Sequence, residues 1–207
     1  MNTLELASHG PVIPVIVIDR VEDAVPMARA LVAGGVRVLE VTLRTAAALP
    51  AIAAIARAVP EAVVGAGTVR SAADAQAARD AGSVFAVSPG YTAEVGAACR
   101  AIGLPLLPGV ATASELMAAQ ADGLSFLKFF PATAAGGIPL LKALGGPFPD
   151  VFFCPTGGLT PETAPQFLAL PNVKVCGGSW LTPADAVAAK DWARITKLAR
   201  EASALRA

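Results

Sequence analysis

Two charged residues stand where a buried strand should carry none. Glu40 falls within Val36-Arg37-Val38-Leu39-Glu40-Val41-Thr42-Leu43-Arg44, and Lys128 within Phe126-Leu127-Lys128-Phe129-Phe130-Pro131. Burial disfavours an ammonium group, and an uncharged amine can add to a ketone and form an imine, which makes Lys128 a Schiff-base candidate. An interior carboxylate is costly without a partner. Facing an imine-forming lysine, it could carry the protons that such chemistry moves. Structural alternatives stand beside both: a Glu40–Arg44 ion-pair network, and a lysine guarding an exposed sheet edge. In a strand alternate residues share a face, so Val38, Glu40, Thr42 and Arg44 point one way and Leu39, Val41 and Leu43 the other. Arg44 then lies ~13 Å along the strand from Glu40 and could meet an anion at the strand's C-terminal end.

A second chemistry is written in glycine. Thr156-Gly157-Gly158 and Gly177-Gly178-Ser179 follow the last two apolar runs. Glycine lets backbone N–H groups approach an anion closely, and Ser179 adds a hydroxyl donor, so these loops are phosphate-binding candidates. The pairs Gly34-Gly35, Gly136-Gly137 and Gly145-Gly146 read as turns.

For these residues to meet, the chain must bring several strand ends together. Strands are predicted over residues 12–17, 36–42, 63–67, 84–88, 106–110, 126–130, 151–156 and 173–178. Between them, 21–33, 49–59, 71–81, 92–102 and 112–121 place Ala, Leu, Val or Ile at the helical spacing of three and four. Asp19, Ser71 and Thr112 read as helix starts, Thr112 with Glu115 as a capping box. Gly34, Gly82 and Gly103 fall where helices should stop. Alternating strands and helices demand a parallel sheet. Eight such units predict an α/β fold of the (β/α)8 TIM-barrel type. Glu40 and Lys128, on the second and sixth strands, would then face each other across a bore that side chains just fill. The phosphate loops would follow strands seven and eight, where such barrels often bind phosphate. An open doubly wound sheet is the alternative, but its dinucleotide fingerprint fails, because Gly65-Ala66-Gly67 runs on to Arg70. No composition shift marks a second domain, so residues 1–207 read as one domain with a short N-terminal helix over 2–8.

Composition narrows the partners. The chain has 207 residues, of which 55% are hydrophobic and 15% charged, with 16 basic and 16 acidic residues scattered along it. That balance argues against nucleic acid or a charged membrane surface as partner. Mean hydropathy is high at +0.60, yet the longest apolar stretches fall short of the ~20 residues a membrane span needs. No signal peptide is read at the start, and the expected location is cytoplasmic. Cys99, Cys154 and Cys176 form neither a CxxC motif nor a disulfide framework, and read as buried thiols. His9 is the only histidine. A zinc site built from several imidazoles is excluded, as is a Ser-His-Asp triad unless His9 folds back.

Taken together in chain order, these motifs closely resemble the 2-keto-3-deoxy-6-phosphogluconate (KDPG) aldolase family of class I aldolases. The matching stretches include Glu40-Val41-Thr42-Leu43-Arg44, Gly65-Ala66-Gly67-Thr68, Ser88-Pro89-Gly90, Lys128-Phe129-Phe130-Pro131-Ala132, Cys154-Pro155-Thr156-Gly157-Gly158 and Gly177-Gly178-Ser179-Trp180-Leu181. The resemblance implies that Lys128 forms the Schiff base and Glu40 is the general acid/base. It implies that Arg44 and Thr68 hold the keto-acid end, that Pro89 and Phe130 wall the pyruvate pocket, and that Thr156 lies beside the substrate chain. Gly157, Gly158, Gly178 and Ser179 match the phosphate cradle. It further implies a 2-keto acid phosphate substrate, no metal, no cofactor and a homotrimer. Related substrates, 4-hydroxy-2-oxoglutarate or the galactonate epimer, remain alternatives, as do a non-catalytic sugar-phosphate-binding barrel and a phosphosugar isomerase or epimerase. One departure stands out. The loop after Ala132 reads Thr133-Ala134-Ala135-Gly136-Gly137, where the family has a more polar version, a change that could alter aldehyde specificity or loop mobility.

Overall fold

The structure, a computed structural model, describes residues 3–205. Strands and helices alternate along the chain, and every strand pairing is parallel. The strands are β1 (Val12–Ile16), β2 (Val38–Thr42), β3 (Val63–Gly67), β4 (Ala86–Val87), β5 (Leu106–Leu107), β6 (Gly109–Val110), β7 (Phe126–Phe129), β8 (Phe152–Pro155) and β9 (Cys176–Gly178). They form a six-stranded sheet in the order β5-β4-β3-β2-β1-β9 and a three-stranded sheet in the order β6-β7-β8.

The strand expected over 106–110 is split, and Pro108 is the reason. Proline has no N–H to give to a ladder. Before it, Leu107 pairs with Val87; after it, Gly109 pairs with Lys128, and the Pro108 carbonyl itself accepts from the Lys128 N–H at 2.8 Å. At the other side, single parallel bridges join Phe153 to Val173 and Thr156 to Gly177.

Helices cover one face of this wall. They are α1 (Ala24–Ala33), α2 (Ala48–Ala58), α3 (Ala72–Asp80), α4 (Ala93–Ala101), α5 (Ala113–Ala121), α6 (Gly137–Gly145), α7 (Ala164–Leu168), α8 (Ala184–Ala188) and α9 (Trp192–Ser203). Leu39, Val41, Val64 and Ala66 bury against Ile52, Ile55 and the other helix residues of one large cluster. Residues of the opposite strand face, Ile13, Val38, Phe85, Val87, Leu107, Phe126, Cys154 and Val175, form a separate core drawn from both sheets. The strand alternation predicted for 38–44 therefore holds. The expected N-terminal helix is a 3₁₀ helix, Thr3–His9, and Asn2 lies outside the described residues. Its Leu6 and Ala7 insert into the inner core at the end remote from the strand C-termini. The last helix closes on the first: Gly34 has no side chain because Ala199 of α9 would collide with one, and Thr196 and Ser203 donate to the Ala30 and Gly34 carbonyls.

Helix starts follow local chemistry, with one correction. Ser71, Thr92 and Thr112 each accept a backbone N–H of the first turn, and Thr112 with Glu115 forms the full capping box. Asp19 does not start a helix. The chain instead makes a 3₁₀ turn over Val21–Asp23 before α1, and the Asp23 carboxylate is bound by Arg20 at 2.8 Å rather than by helix N–H groups. Gly34 ends α1 at a negative φ, and the left-handed turn falls one residue later at Gly35. Gly136-Gly137 is more than a turn, because it opens α6. The α5 cap gives a direct test: Thr112→Ala is expected to lower stability by about 1 kcal/mol, read as a lower urea midpoint at unchanged slope.

Candidate active site

The site is built at the C-terminal ends of the strands, in layers from buried to exposed. Deepest is the pair foreseen in the two irregular strands. Lys128 Nζ on β7 donates to Glu40 Oε1 on β2 across 3.1 Å, and their side chains are only 5% and 4% exposed. Both belong to the inner face. β7 points Phe126 and Lys128 inward, while Leu127 and Phe129 pack outward against helices. The edge-guarding reading of Lys128 fails, because β7 lies between β6 and β8. The Glu40–Arg44 network is not formed either, since Glu40 pairs with Lys128 and Arg44 turns to Thr68.

Beside the pair lies Cys154, level with Lys128 in the β7–β8 register. Burial pushes its thiol up to about 12, against the opposing pull of the Thr156 hydroxyl and the Lys128 charge. The protonated thiol therefore serves as packing. Cys99 and Cys176 are buried as expected.

Above the pair opens a cavity of about 140 Å³ lined by Val15, Arg44, Lys128, Phe130, Thr156, Gly157, Gly158, Leu159, Gly177, Gly178 and Ser179. Phe130 lies over the lysine, its ring centre 5.3 Å from Nζ. Arg44 is exposed at the rim and donates through Nε to the Thr68 hydroxyl at 3.3 Å. Thr68 adopts φ 62°, a left-handed conformation rare for a β-branched residue. Such strain persists where the surroundings over-determine it, often at functional sites. Glu40, Thr68 and Pro89 lie outside the cavity lining; Glu40 and Thr68 are tied to lining residues by hydrogen bonds, whereas Pro89 is exposed. Its carbonyl fills the space a side chain at Gly109 would need, and Gly109 pairs with Lys128.

The glycine loops flank the other side of the cavity. Gly157 and Gly158 both take left-handed conformations, φ 103° and 78°, which any other residue would adopt only under strain. Thr133 binds this loop, its N–H and hydroxyl both donating to the Gly157 carbonyl at 3.1 Å. The departing Thr133 is thus tied to the glycine turn. Gly178 has a second reason to lack a side chain, because the Trp180 ring occupies that space. Gly177, which sequence reasoning did not single out for a role of its own, leaves room for the Thr156 side chain. Among the described residues no three His, Cys, Asp or Glu side chains gather into a metal-binding group, and no helix is long and apolar enough to cross a membrane. His9 closes the 3₁₀ helix before β1, at the opposite end from the cavity.

A buried lysine–carboxylate pair below an arginine, a glycine turn and the glycine end of β9 is an arrangement for carbonyl chemistry on an anionic substrate. The family model for KDPG and KHG aldolases matches residues 4–198. The chain belongs to that family. A KHG/KDPG aldolase of Escherichia coli K12 is 57% identical over 197 residues, covering 95% of this chain and 92% of its own. The structure of KDPG aldolase from Legionella pneumophila, with pyruvate captured as a covalent carbinolamine, superimposes with a TM-score of 0.96 at 46% identity over 99% of both chains. That of the Zymomonas mobilis ZM4 KDPG aldolase with 3-phosphoglycerate gives 0.94 at 50% identity, over 99% and 96% of the two chains. The carbinolamine in the Legionella aldolase is an adduct of the kind a nucleophilic lysine forms with a keto acid.

Proposed function

We propose that this chain is a class I aldolase that cleaves 2-keto-3-deoxy-6-phosphogluconate to pyruvate and glyceraldehyde 3-phosphate. The observation that carries this reading is the contact of Lys128 Nζ with Glu40 Oε1, buried at the floor of a cavity with an arginine rim and glycine-lined walls. Glu40 takes a proton from the Lys128 ammonium, the freed amine attacks the C2 ketone, and a second Nζ proton passes to the new alkoxide to give the carbinolamine. Glu40 returns a proton to the carbinolamine hydroxyl, which leaves as water, and the iminium forms. Glu40 then accepts the proton of the C4 hydroxyl. The C3–C4 bond breaks, its electrons pass into the iminium to give an enamine, and the aldehyde departs. Protonation of the enamine at C3 and addition of water release pyruvate and the free lysine.

The remaining residues hold the two ends. Arg44 pairs with the carboxylate and Thr68 aims its guanidinium, while Phe130 and Pro89 bound the pyruvate half. Thr156 lies along the chain, and the N–H groups of Gly157, Gly158 and Gly178 with the Ser179 hydroxyl take the phosphate. Arg44→Lys keeps the charge but loses the planar fork. It is expected to raise KM about tenfold, the scale of one charge-assisted hydrogen bond, in steady-state assays of pyruvate release.

In this reading the wall is a single closed (β/α)8 barrel. Pro108 passes the fifth strand from β4 to β7, and the bridges from β8 toward β9 complete the circuit. Three such chains form a homotrimer, which light scattering tests. The E. coli relative's name supports a second substrate, 4-hydroxy-2-oxoglutarate. Pyruvate release from each of the two substrates, and from the galactonate epimer, tests the assignment. Turnover of the phosphorylated gluconate derivative is expected to dominate, and its absence would refute the reading.

A further inference from the structure

We propose that Gly67 is a positioning residue for the reaction, holding the Glu40 carboxylate against Lys128 by leaving its own side-chain space empty. The inference rests on the proposed aldolase reaction. A Cβ built on Gly67 lands on Glu40 Oε1, with Glu40 Cγ at 2.7 Å and Cδ at 2.9 Å, so its three nearest neighbours all belong to that one side chain. Such approaches essentially never occur for a real side chain, and the obstacle is a buried carboxylate with little freedom to withdraw. Glu40 is 3% exposed and its Oε1 is the atom that Lys128 Nζ meets.

The backbone gives no other reason for glycine here. Gly67 is not among the residues with positive φ. It sits in a regular parallel register opposite Thr42, and its carbonyl accepts the Leu43 N–H at 2.8 Å. Glycine inside a strand weakens it and marks a site where another group approaches closely. At Gly67 that group is the carboxylate. Glu40 pairs in register with Gly65, but its carboxylate leans one inward-facing position up β3, over Gly67 and toward the strand ends where substrate enters. With any side chain at 67, Glu40 must turn away and lose its contact with Nζ.

The test is a double-mutant cycle on the full chain, using Gly67→Ala, Glu40→Ala and both together, with KDPG as substrate. Gly67→Ala is expected to lower kcat by ~10² or more, the scale of a misplaced acid/base, with KM little changed. It is also expected to flatten the limb of the pH–rate profile that Glu40→Gln removes. In the Glu40→Ala background the carboxylate is gone, so the same substitution should cost nothing further. If Gly67→Ala is too unstable to assay, the clash predicts that it lowers the melting temperature of the wild-type chain but costs little when Gly67→Ala is added to Glu40→Ala. A wild-type kcat in Gly67→Ala, or an equal cost in rate or melting temperature in both backgrounds, would overturn the proposal. Absence of KDPG cleavage by the wild-type chain would instead count against the aldolase reading itself.

Discussion

Replacing Lys128 by alanine is expected to abolish both turnover and covalent capture of pyruvate. The loss should reach at least ~10⁴-fold in kcat, in the range seen when a covalent nucleophile is removed. No neighbouring lysine can substitute. Lys174 precedes β9 at the opposite end of the strands, where its Nζ sits 3.9 Å over the Phe152 ring. The substitution also strands Glu40 in a buried position, and breaking a buried pair from one side costs about 3–5 kcal/mol. Circular dichroism and urea unfolding must therefore accompany the kinetics. Lys128→Met with Glu40→Gln removes both charges, and is expected to be more stable than Lys128→Ala while remaining inactive. A folded Lys128→Ala protein that still cleaves substrate would remove the lysine from the mechanism.

Glu40→Gln is expected to lower kcat by ~10² to 10⁴, the usual contribution of a positioned acid/base. The amide keeps the size of the side chain and an oxygen that can accept from Nζ at the observed 3.1 Å, so the fold should survive. What is lost is the capacity to take and return a proton. Imine formation and C3–C4 cleavage both draw on it, so single-turnover trapping by pyruvate should slow together with steady-state cleavage. If trapping is fast and only cleavage slow, Glu40 serves bond breaking alone. A near-normal rate in both would exclude it.

The polar residues of this site were legible because they violate a pattern. Glu40 and Lys128 interrupt largely apolar strands, and alternation separated the polar face of the Glu40 strand from its apolar one. Alternation of strands and helices called for a parallel sheet, but the contact between the two residues depends on how the strands are arranged in space, where an open sheet stood as the alternative to a barrel. The glycine pairs at 157–158 and 177–178 were legible as places where an anion could approach the backbone closely. Other features depend on three-dimensional fit and leave weaker marks. Gly67 looks like any small strand residue until the Glu40 side chain that fills its space is known, and the role of Gly177 in making room for Thr156 left no mark in the sequence. Gly178 looked like a phosphate residue alone, whereas the Trp180 ring also requires it. Pro108 was hidden inside an apolar run, although a proline in a strand signals a broken ladder. Asp19 was an adequate helix start by residue type, but Arg20 binding Asp23 moved the start of α1 beyond it.

Reduction with borohydride in the presence of pyruvate, followed by peptide mapping of the intact wild-type chain, bears on the central claim most directly. A nucleophilic Lys128 predicts one N-carboxyethyl lysine, on the peptide containing residue 128. A label on Lys142 or Lys174, or no label under conditions where the enzyme turns over, would contradict it.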